Sequence, residues 1–203
     1  KDGRYSVQLV DTVAKTKLFD KKINVKKGIG ELRDSFYVQN PQLWWPNGMG
    51  KQNIKNYKLI VKKGTKSIYN KTFRVGIRVV ELVNEPDSIG ESFYFKVNGK
   101  PMFAKGANVI PPHSFISTVT DSVWISIANN ARQSNFNMVR IWGGGVYPPN
   151  VFFEACTEHG ILVWQDFMFA CSMYPWNRNY LKNVQVEAEQ QVKRLRAHTS
   201  LAL

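Results

Sequence analysis

Two short apolar runs, separated by a helix-length segment, constrain the fold of this chain more than any other feature. Residues 138–142 are apolar except for Arg140, residues 161–164 are apolar throughout, and each run leads into a polar or glycine-rich loop. Continuous apolar runs are typical of parallel strands buried on both faces, and a crossover between parallel strands normally contains a helix. The sequence therefore predicts a β-α-β unit. Residues 142–145 and 164–166 lie at the carboxyl ends of its strands, where such units place their catalytic and binding residues.

Further elements of the same kind surround this unit. The Asn98-Gly99 dipeptide predicts a hairpin of residues 93–97 and 102–107, whose second arm leads into the loop 108–115. Helices are predicted from Thr120 or Asp121, from Pro149 or Asn150 to Gly160, and over about 180–197, and residues 200–203 resemble the start of another strand. The sequence contains no G-x-G-x-x-G motif, and its absence disfavours a doubly wound sheet. Residues 93–203 are therefore predicted to form the first part of a (β/α)8 TIM barrel.

The first part of the chain has a different pattern. Short alternating runs at residues 4–11, 17–25, 33–38, 57–62, 68–75 and 76–83 are separated by Gly, Asn, Pro and Lys. Several short strands at this spacing indicate an immunoglobulin-like β-sandwich, although the Cys, Trp, Cys pattern of immunoglobulin domains is absent. We therefore predict a multidomain protein, β and then α/β, with a sandwich at 1–84, a connector at 85–92 and the incomplete barrel at 93–203.

The net charge of +13 lies entirely in residues 1–80. Residues 1–80 contain 18 Lys and Arg against 5 Asp and Glu, whereas the rest of the chain has 10 of each. The lysines are scattered over strands and turns with few aromatic residues between them. This distribution favours a solvated basic β-surface over a nucleic-acid groove, so no nucleic-acid partner is predicted.

Cysteine content and hydropathy restrict the class of protein further. Cys156 and Cys171 are the only cysteines in the sequence, too few for a zinc site or a disulfide framework, and two free thiols are favoured over one disulfide. The sequence contains no run of eighteen apolar residues, so no membrane-spanning helix is predicted. Because the chain opens within a predicted strand, we expect it to be part of a longer protein.

Two adjacent tryptophans stand out between the predicted β-strands. Trp44 and Trp45 lie in the segment NPQLWWPNG. An exposed pair would form a platform on which a sugar ring stacks, whereas a buried pair would plug one end of the sandwich or an interdomain seam. Burial is the favoured interpretation.

Polar groups near the carboxyl ends of the predicted barrel strands are the candidate site residues. Arg140 and Trp142 share one side of their strand, where the Arg could orient a carboxylate and the Trp could floor a sugar site, unless both fill the barrel interior. Asp166 follows the third barrel strand and fits either a sugar contact or a cap. The run Gly143 to Gly145 lacks the Lys-Ser/Thr of a phosphate loop. His113 is a rim residue rather than a metal ligand, and no metal site is predicted.

Several segments resemble one enzyme family. VNGKPMFAKGANVIPPHSF, NMVRIWGGGVYPPNVFFEAC, HGILVWQDFMFACSMYP and VKRLRAHTSLAL closely resemble the β-mannosidases of glycoside hydrolase family 2, and LWWPNG with FRVGIRVVEL resembles the sandwich before their barrel. The resemblance implies a retaining exo-β-mannosidase that removes terminal non-reducing β-D-mannose from β-mannosides or mannose-containing oligosaccharides, without metal or organic cofactor. It also implies a periplasmic, secreted or lysosomal location.

The resemblance implies roles for four residues of this chain and implies that the two catalytic carboxylates lie outside it. It implies that Arg140 supports the catalytic nucleophile, that Trp142 is a wall of the terminal mannose site, and that Asp166 and Asn108 are rim contacts. The family's acid/base Glu, in an Asn-Glu pair after the fourth barrel strand, and its nucleophile Glu, on the seventh, are expected beyond Leu203. The chain alone is thus expected to be inactive and, with an unclosed barrel, to self-associate.

The sequence departs from the family at two positions of the first barrel loop, and two other functions remain as alternatives. Val109 and His113 stand where relatives commonly have an aromatic and an acidic residue, which puts the first loop's part in sugar recognition in doubt. Another family 2 specificity, such as β-galactosidase, β-glucuronidase or exo-glucosaminidase, is the alternative within the family. A non-catalytic carbohydrate-binding or interaction module that uses Trp44 and Trp45 is the alternative from another class.

Overall fold

The protein is described by a computed structural model that covers residues 3–26 and 32–203. The chain divides into two compact units. The first consists of Lys1–Gln42 and Ile54–Val75, and the second of Leu43–Asn53 and Gly76–Leu203. This division differs from the ranges predicted from the sequence, since it groups residues 43–53 and 76–84 with the later part of the chain. The predicted boundaries at 84 and 93 remain a prediction.

The first unit is a four-stranded antiparallel sheet. Its strands are β1 (Gly3–Asp11), β2 (Thr16–Val25), β3 (Lys55–Lys63) and β4 (Lys66–Val75), in the order β2-β1-β3-β4. These strands match four of the predicted runs, and the described residues of the unit contain this one sheet. Its apolar face buries Val7, Leu9 and Tyr57.

The strand predicted over residues 33–38 does not form. These residues have no regular secondary structure, although their alternation resembles that of a strand. Phe36 instead packs edge-on against Tyr57, with ring centroids 5.9 Å apart. The segment therefore contributes an aromatic side chain to the apolar face of the sheet and no hydrogen-bonded ladder.

The second unit begins with a small antiparallel sheet. Its strands are β5 (Val80–Val83), β6 (Tyr94–Val97) and β7 (Lys100–Met102), in that order. Asn98 and Gly99 connect β6 to β7 with φ values of 51° and 76°, as a type I′ hairpin turn requires. β5 pairs with β6 along its whole length, so residues 80–83 are part of this small sheet.

A three-stranded parallel sheet forms the centre of the second unit. Its strands are β8 (Gly106–Val109), β9 (Met138–Ile141) and β10 (Leu162–Gln165), in the order β10-β9-β8. The predicted strand 102–107 is therefore two strands, because β7 ends at Met102 and β8 begins at Gly106. Leu201 forms a parallel bridge with Val163, in agreement with the strand start predicted at 200–203.

Three helices follow the parallel strands in turn. They are α1 (Asp121–Gln133), α2 (Asn150–His159) and α3 (Arg178–Leu195), within two residues of their predicted bounds. Gly160 ends α2 with φ 74°, a left-handed conformation that favours glycine. Asn177 caps α3 by accepting a hydrogen bond from the Tyr180 N–H at 3.0 Å.

The main core of the second unit lies between the parallel sheet and its helices. Residues from α1, α2 and the sheet pack there with almost no exposure to solvent. They include Trp124, Val139, Ile141, Phe152, Phe153, Ile161 and Val163. Since alternate residues of β9 face this core, Arg140 is left on the opposite side of the sheet.

Trp44 is an internal anchor of the second unit. Its side chain has 0% exposure, and its indole N–H donates to the carbonyl oxygen of Thr157 at 2.8 Å. Its own carbonyl oxygen accepts a hydrogen bond from the Asn98 side chain at 2.9 Å. Burial of Trp44 was predicted correctly, and both of these hydrogen-bond partners lie in the second unit. An exposed sugar platform that includes Trp44 is therefore excluded.

The structure describes both cysteines and the composition of the helices. Cys156 is buried and Cys171 is exposed, and both are free thiols, as the sequence predicts. Burial raises the pKa of the Cys156 thiol far above its ordinary value. Within the described part of the chain, no helix has the length and apolar composition needed to cross a membrane.

Candidate functional site

The parallel register places three side chains in one row. Arg140 in β9 lies opposite Asn108 in β8 and opposite Trp164 in β10. Side chains at matched positions of adjacent parallel strands point to the same face of the sheet. Asn108, Arg140 and Trp164 thus form a row across the face opposite the helical core, close to the carboxyl ends of their strands.

Arg140 and Asp166 form a bidentate ion pair at the end of this row. The Arg140 Nε and Nη2 atoms donate to Asp166 Oδ1 at 3.1 Å and to Asp166 Oδ2 at 2.7 Å. The backbone N–H of Gly143 also donates to Asp166 Oδ2, at 3.1 Å. Two parallel charge-assisted bonds fix both the plane and the position of a guanidinium group. Asp166 therefore holds Arg140 and the loop that follows β9 in one arrangement.

The remaining surroundings of Arg140 are an amide and an aromatic ring. Its Nη1 atom lies 3.5 Å from the Asn108 side-chain oxygen, and its guanidinium carbon lies 5.9 Å from the centre of the Trp164 ring. The Trp164 ring in turn contacts Phe93 and Phe95, with centroids 5.9 and 6.3 Å away. The Arg140 side chain keeps 41% of its exposure. It is thus a positioned cation that can still donate a hydrogen bond to a ligand.

Trp142 lies beside this row, on the loop after β9. Its backbone N–H donates to the carbonyl oxygen of Val109, and its ring packs against Gly144, where a Cβ atom would lie 2.1 Å from the indole. A Cβ on Gly143 would lie 2.6 Å from the carbonyl oxygens of Phe167 and Phe169. The glycines therefore allow close approach of backbone and ring, in agreement with the argument against a phosphate loop.

Hydrogen bonds also connect the two loops that border the site. The Tyr147 hydroxyl group, in the loop after β9, donates to Glu187 Oε1 at 3.2 Å and accepts from the Met168 N–H at 3.4 Å. Arg194 of α3 donates to the carbonyl oxygen of Pro148 at 3.0 Å. Burial raises the pKa of the Tyr147 hydroxyl group above its ordinary value. Helix α3 thereby fixes the glycine-rich loop.

The structure brings together three of the four candidate site residues. Asn108, Arg140 and Asp166 are joined by side-chain contacts, whereas Trp142 is held by its own loop. Their predicted contacts with a sugar remain a prediction. Trp164 is a further member of the row; the sequence placed it at the carboxyl end of its strand but assigned it no role. The sequence did contain a signal for this role. Trp164 ends the second apolar run, and because it lies two residues before Asp166 it falls on the same side of the strand as that carboxylate.

The other residues considered from the sequence have local structural roles. His113 Nδ1 accepts a hydrogen bond from the Phe115 N–H at 3.0 Å, which places this histidine in the turn after β8. Val109 packs against the helical core and not in the row with Asn108. Over residues 3–26 and 32–203, no three His, Cys, Asp or Glu side chains are grouped so that they could hold a metal ion. We assign no metal ligand.

Comparison with known proteins identifies the relatives of the chain. It is 43% identical over 162 residues to a β-mannosidase of Bos taurus and 38% identical over 174 residues to a β-mannosidase B of Emericella nidulans. These alignments cover 79% and 84% of this chain but 18% and 20% of the relatives. No family model matches the sequence.

A solved structure agrees with the sequence relatives. The crystal structure of the β-D-mannosidase from Dictyoglomus thermophilum superimposes on 98% of this chain with a TM-score of 0.82 and 38% identity, and the match covers 24% of that protein. The structural likeness thus extends over both the β unit and the α/β unit. The chain is therefore homologous, over most of its length, to β-mannosidases, and it spans about a fifth of the relatives it matches.

Proposed function

We propose that these residues form part of a retaining exo-β-mannosidase that hydrolyses terminal non-reducing β-D-mannose residues of β-mannosides. The bidentate Arg140–Asp166 pair, in a row with Asn108 and Trp164, is the observation that carries the proposal. Homology to β-mannosidases supports the choice of sugar. In the same proposal, the β1–β4 sheet is one layer of an immunoglobulin-like sandwich and β8–β10 are the first strands of a TIM barrel.

The proposed roles follow from the charges and contacts at the site. A retaining glycosidase requires two carboxyl groups about 5–5.5 Å apart, one as nucleophile and one as acid/base. In the described residues, Asp166 is the one carboxylate in the loops that directly follow β8, β9 and β10, and it already accepts three hydrogen bonds. Both reacting carboxylates are therefore expected beyond Leu203, and Asp166 is a positioning residue.

Arg140 has the features needed to orient a catalytic carboxylate. Asp166 occupies its Nε and Nη2 donors, and Nη1 lies at the edge of the guanidinium group that faces Asn108. A fixed cation stabilises an adjacent carboxylate anion and limits the geometries that it adopts. We propose that Arg140 supports the nucleophile from this edge, with Asn108 and Trp142 as contacts of the terminal mannose.

Segment exchange tests this proposal. The 203 residues would replace the matching segment of the Dictyoglomus thermophilum β-mannosidase, and hydrolysis of aryl β-mannoside, β-galactoside, β-glucuronide and β-glucosaminide would be measured. We expect the exchanged enzyme to hydrolyse the β-mannoside in preference to the other three. A correctly folded exchange product that prefers another glycoside, or that hydrolyses none, would refute the proposal. Circular dichroism and gel filtration of the product establish its folding.

A further inference from the structure

The sheet of the first unit carries lysines on both faces but aromatic residues on only one. Side chains at directly paired positions of adjacent strands point to the same face, so the register assigns each residue to one face. The five aromatic residues of the four strands all fall on the apolar face with Val7 and Leu9. They are Tyr5, Phe19, Tyr57, Tyr69 and Phe73.

The opposite face, which we call the polar face, is strongly basic. It is the face that includes Ser6 and Val10 of β1, and it has no aromatic residue in the described strands. Six cationic residues lie on it: Arg4, Lys17, Lys22, Lys58, Lys62 and Arg74. Asp20 is the one acidic residue of the described strands on this face, so positive charge predominates there.

Four of these cations form two cross-strand pairs. Ser6 lies between Lys22 on β2 and Lys62 on β3, and Val10 lies between Lys17 and Lys58 in the same way. Adjacent strands are about 4.8 Å apart and residues along a strand rise about 3.4 Å, so the members of a pair are roughly 10 Å apart and the two pairs about 13 Å apart. Positive charge therefore recurs along the direction of the strands.

Asp20 neutralises only one of these cations. Its carboxylate accepts hydrogen bonds from Lys17 at 2.7 Å, from Gln8 at 2.9 Å and from Ser6 at 3.1 Å. The ion pair joins Asp20 to Lys17, at the end of the β1–β2 hairpin. Arg4, Lys22 and Lys62 thus form a group of three cations around Ser6, at the other end of the same strands.

We propose that the polar face of this sheet is a binding surface for a linear acidic polysaccharide, whose carboxylate or sulfate groups pair with the recurring cations. Charge complementarity selects an anionic polymer, and the flat face suits an extended chain. Single-stranded nucleic acid is disfavoured because proteins bind its bases by aromatic stacking, and all five aromatic residues of the strands lie on the other face. An anionic membrane surface is disfavoured because Val10 and Ile60, the apolar residues of this face, are partly buried within it and do not protrude.

Binding of the purified 203-residue chain to heparin, a sulfated polysaccharide, tests the proposal. We expect saturable binding in 50 mM salt that weakens steeply with added salt, because each ion pair releases condensed counterions. The double variant Lys22→Gln/Lys62→Gln should weaken binding at least about tenfold and reduce the salt slope, because it removes two of the pairing charges. Uncharged dextran should not bind.

A matched control variant tests whether heparin binding depends on the polar face or only on the net charge of the chain. Lys63→Gln/Lys71→Gln removes the same charge from two exposed lysines on the apolar face, and it should change heparin affinity less than about twofold. Equal loss in both double variants, or no heparin binding by the unsubstituted chain, overturns the proposal. Tighter binding to a single-stranded oligonucleotide or to anionic phospholipid vesicles than to heparin also overturns it. Thermal unfolding of each variant, followed by circular dichroism, verifies that the sheet is intact.

Discussion

Asp166 holds Arg140 with both of its carboxylate oxygens, at 3.1 and 2.7 Å, and one of these oxygens also accepts the Gly143 N–H. One carboxylate thereby joins the end of β10 to β9 and to the glycine-rich loop. The sequence suggested that Asp166 contacts a sugar hydroxyl or caps a loop. The observed bonds favour a positioning role, since the carboxylate oxygens are already engaged and the side chain is 17% exposed.

Loss of the Asp166 charge should destabilise the α/β unit. Asp166→Asn keeps the size of the side chain but removes the charge and replaces one acceptor with a donor that faces the guanidinium. Because Arg140 is partly exposed, we expect the free energy of unfolding to fall by about 1–2 kcal/mol. Urea unfolding measures this value. Glu189→Gln, which removes an exposed ion pair of α3, is the control and should have little effect. Equal effects of the two substitutions would contradict the assignment.

The adjacent tryptophans should differ sharply in their contribution to stability. Trp44→Phe loses the 2.8 Å bond to Thr157 and leaves a space in a fully buried site, so we expect a loss of about 2–4 kcal/mol. Trp45→Phe, at a partly exposed ring that lies below the Lys100 ammonium group, should cost less than about 1 kcal/mol. Chemical denaturation of both variants gives the comparison. A larger loss for Trp45→Phe would show that the anchor is assigned wrongly.

Two histidines should make the stability depend on pH. Burial lowers the pKa of His198, and repulsion from Arg194 adds to this effect; burial and Arg132 lower the pKa of His159. The unfolded chain therefore binds protons more readily, and the free energy of unfolding should fall as the pH decreases through about 6.5.

Phenylalanine substitutions isolate this contribution. His198→Phe keeps a ring against Phe153, whose centroid lies 5.3 Å from that of His198. We expect the decrease in melting temperature between pH 7.5 and pH 5 to be smaller in His198→Phe, and smaller still in His159→Phe/His198→Phe. An unchanged pH dependence in the double variant would refute this explanation.

The edge strand β8 should promote self-association of the isolated chain. It lies at the edge of the β10-β9-β8 sheet, and residues 106–108 are exposed, so backbone groups of β8 are available to another strand. Sedimentation velocity should show oligomers whose fraction rises with concentration. Ala107→Lys places a charge at this edge and should shift the chain toward monomer, whereas Ala197→Lys, at an exposed position after α3, should not. A monodisperse monomer at high concentration would contradict the prediction.

Local patterns in the sequence predicted most elements of the fold. The helices α1 to α3 were predicted because each combines an apolar stripe with a recognisable first or last residue, such as Asn150 or Gly160. The run at 33–38 was mispredicted, because its alternation matches a strand while Phe36 only packs on Tyr57. The strand β5 was predicted, but its pairing with β6 was not, because local periodicity does not specify which strands pair.

Part of the candidate site could also be inferred from the sequence. The alternation of β9 placed Arg140 away from the core, and the position of Asp166 after β10 marked it as a site residue. The bond joins residues 26 positions apart and depends on the register of two parallel strands, which no local pattern specifies. Trp164 was noted at the end of its strand but given no role for the same reason, since its contact with Arg140 follows from that register.

The steady-state kinetics of the exchanged enzyme with Asp166→Asn test the central claim most directly. If Asp166 fixes the guanidinium that supports the nucleophile, kcat for the aryl β-mannoside should fall about 100-fold with little change in KM, because a small misplacement of a positioning group has this effect on the rate. Arg140→Lys should cause a similar loss, and the double variant should lose little more than either single variant. A kcat within twofold of the unsubstituted exchanged enzyme, or losses that multiply in the double variant, would contradict the account.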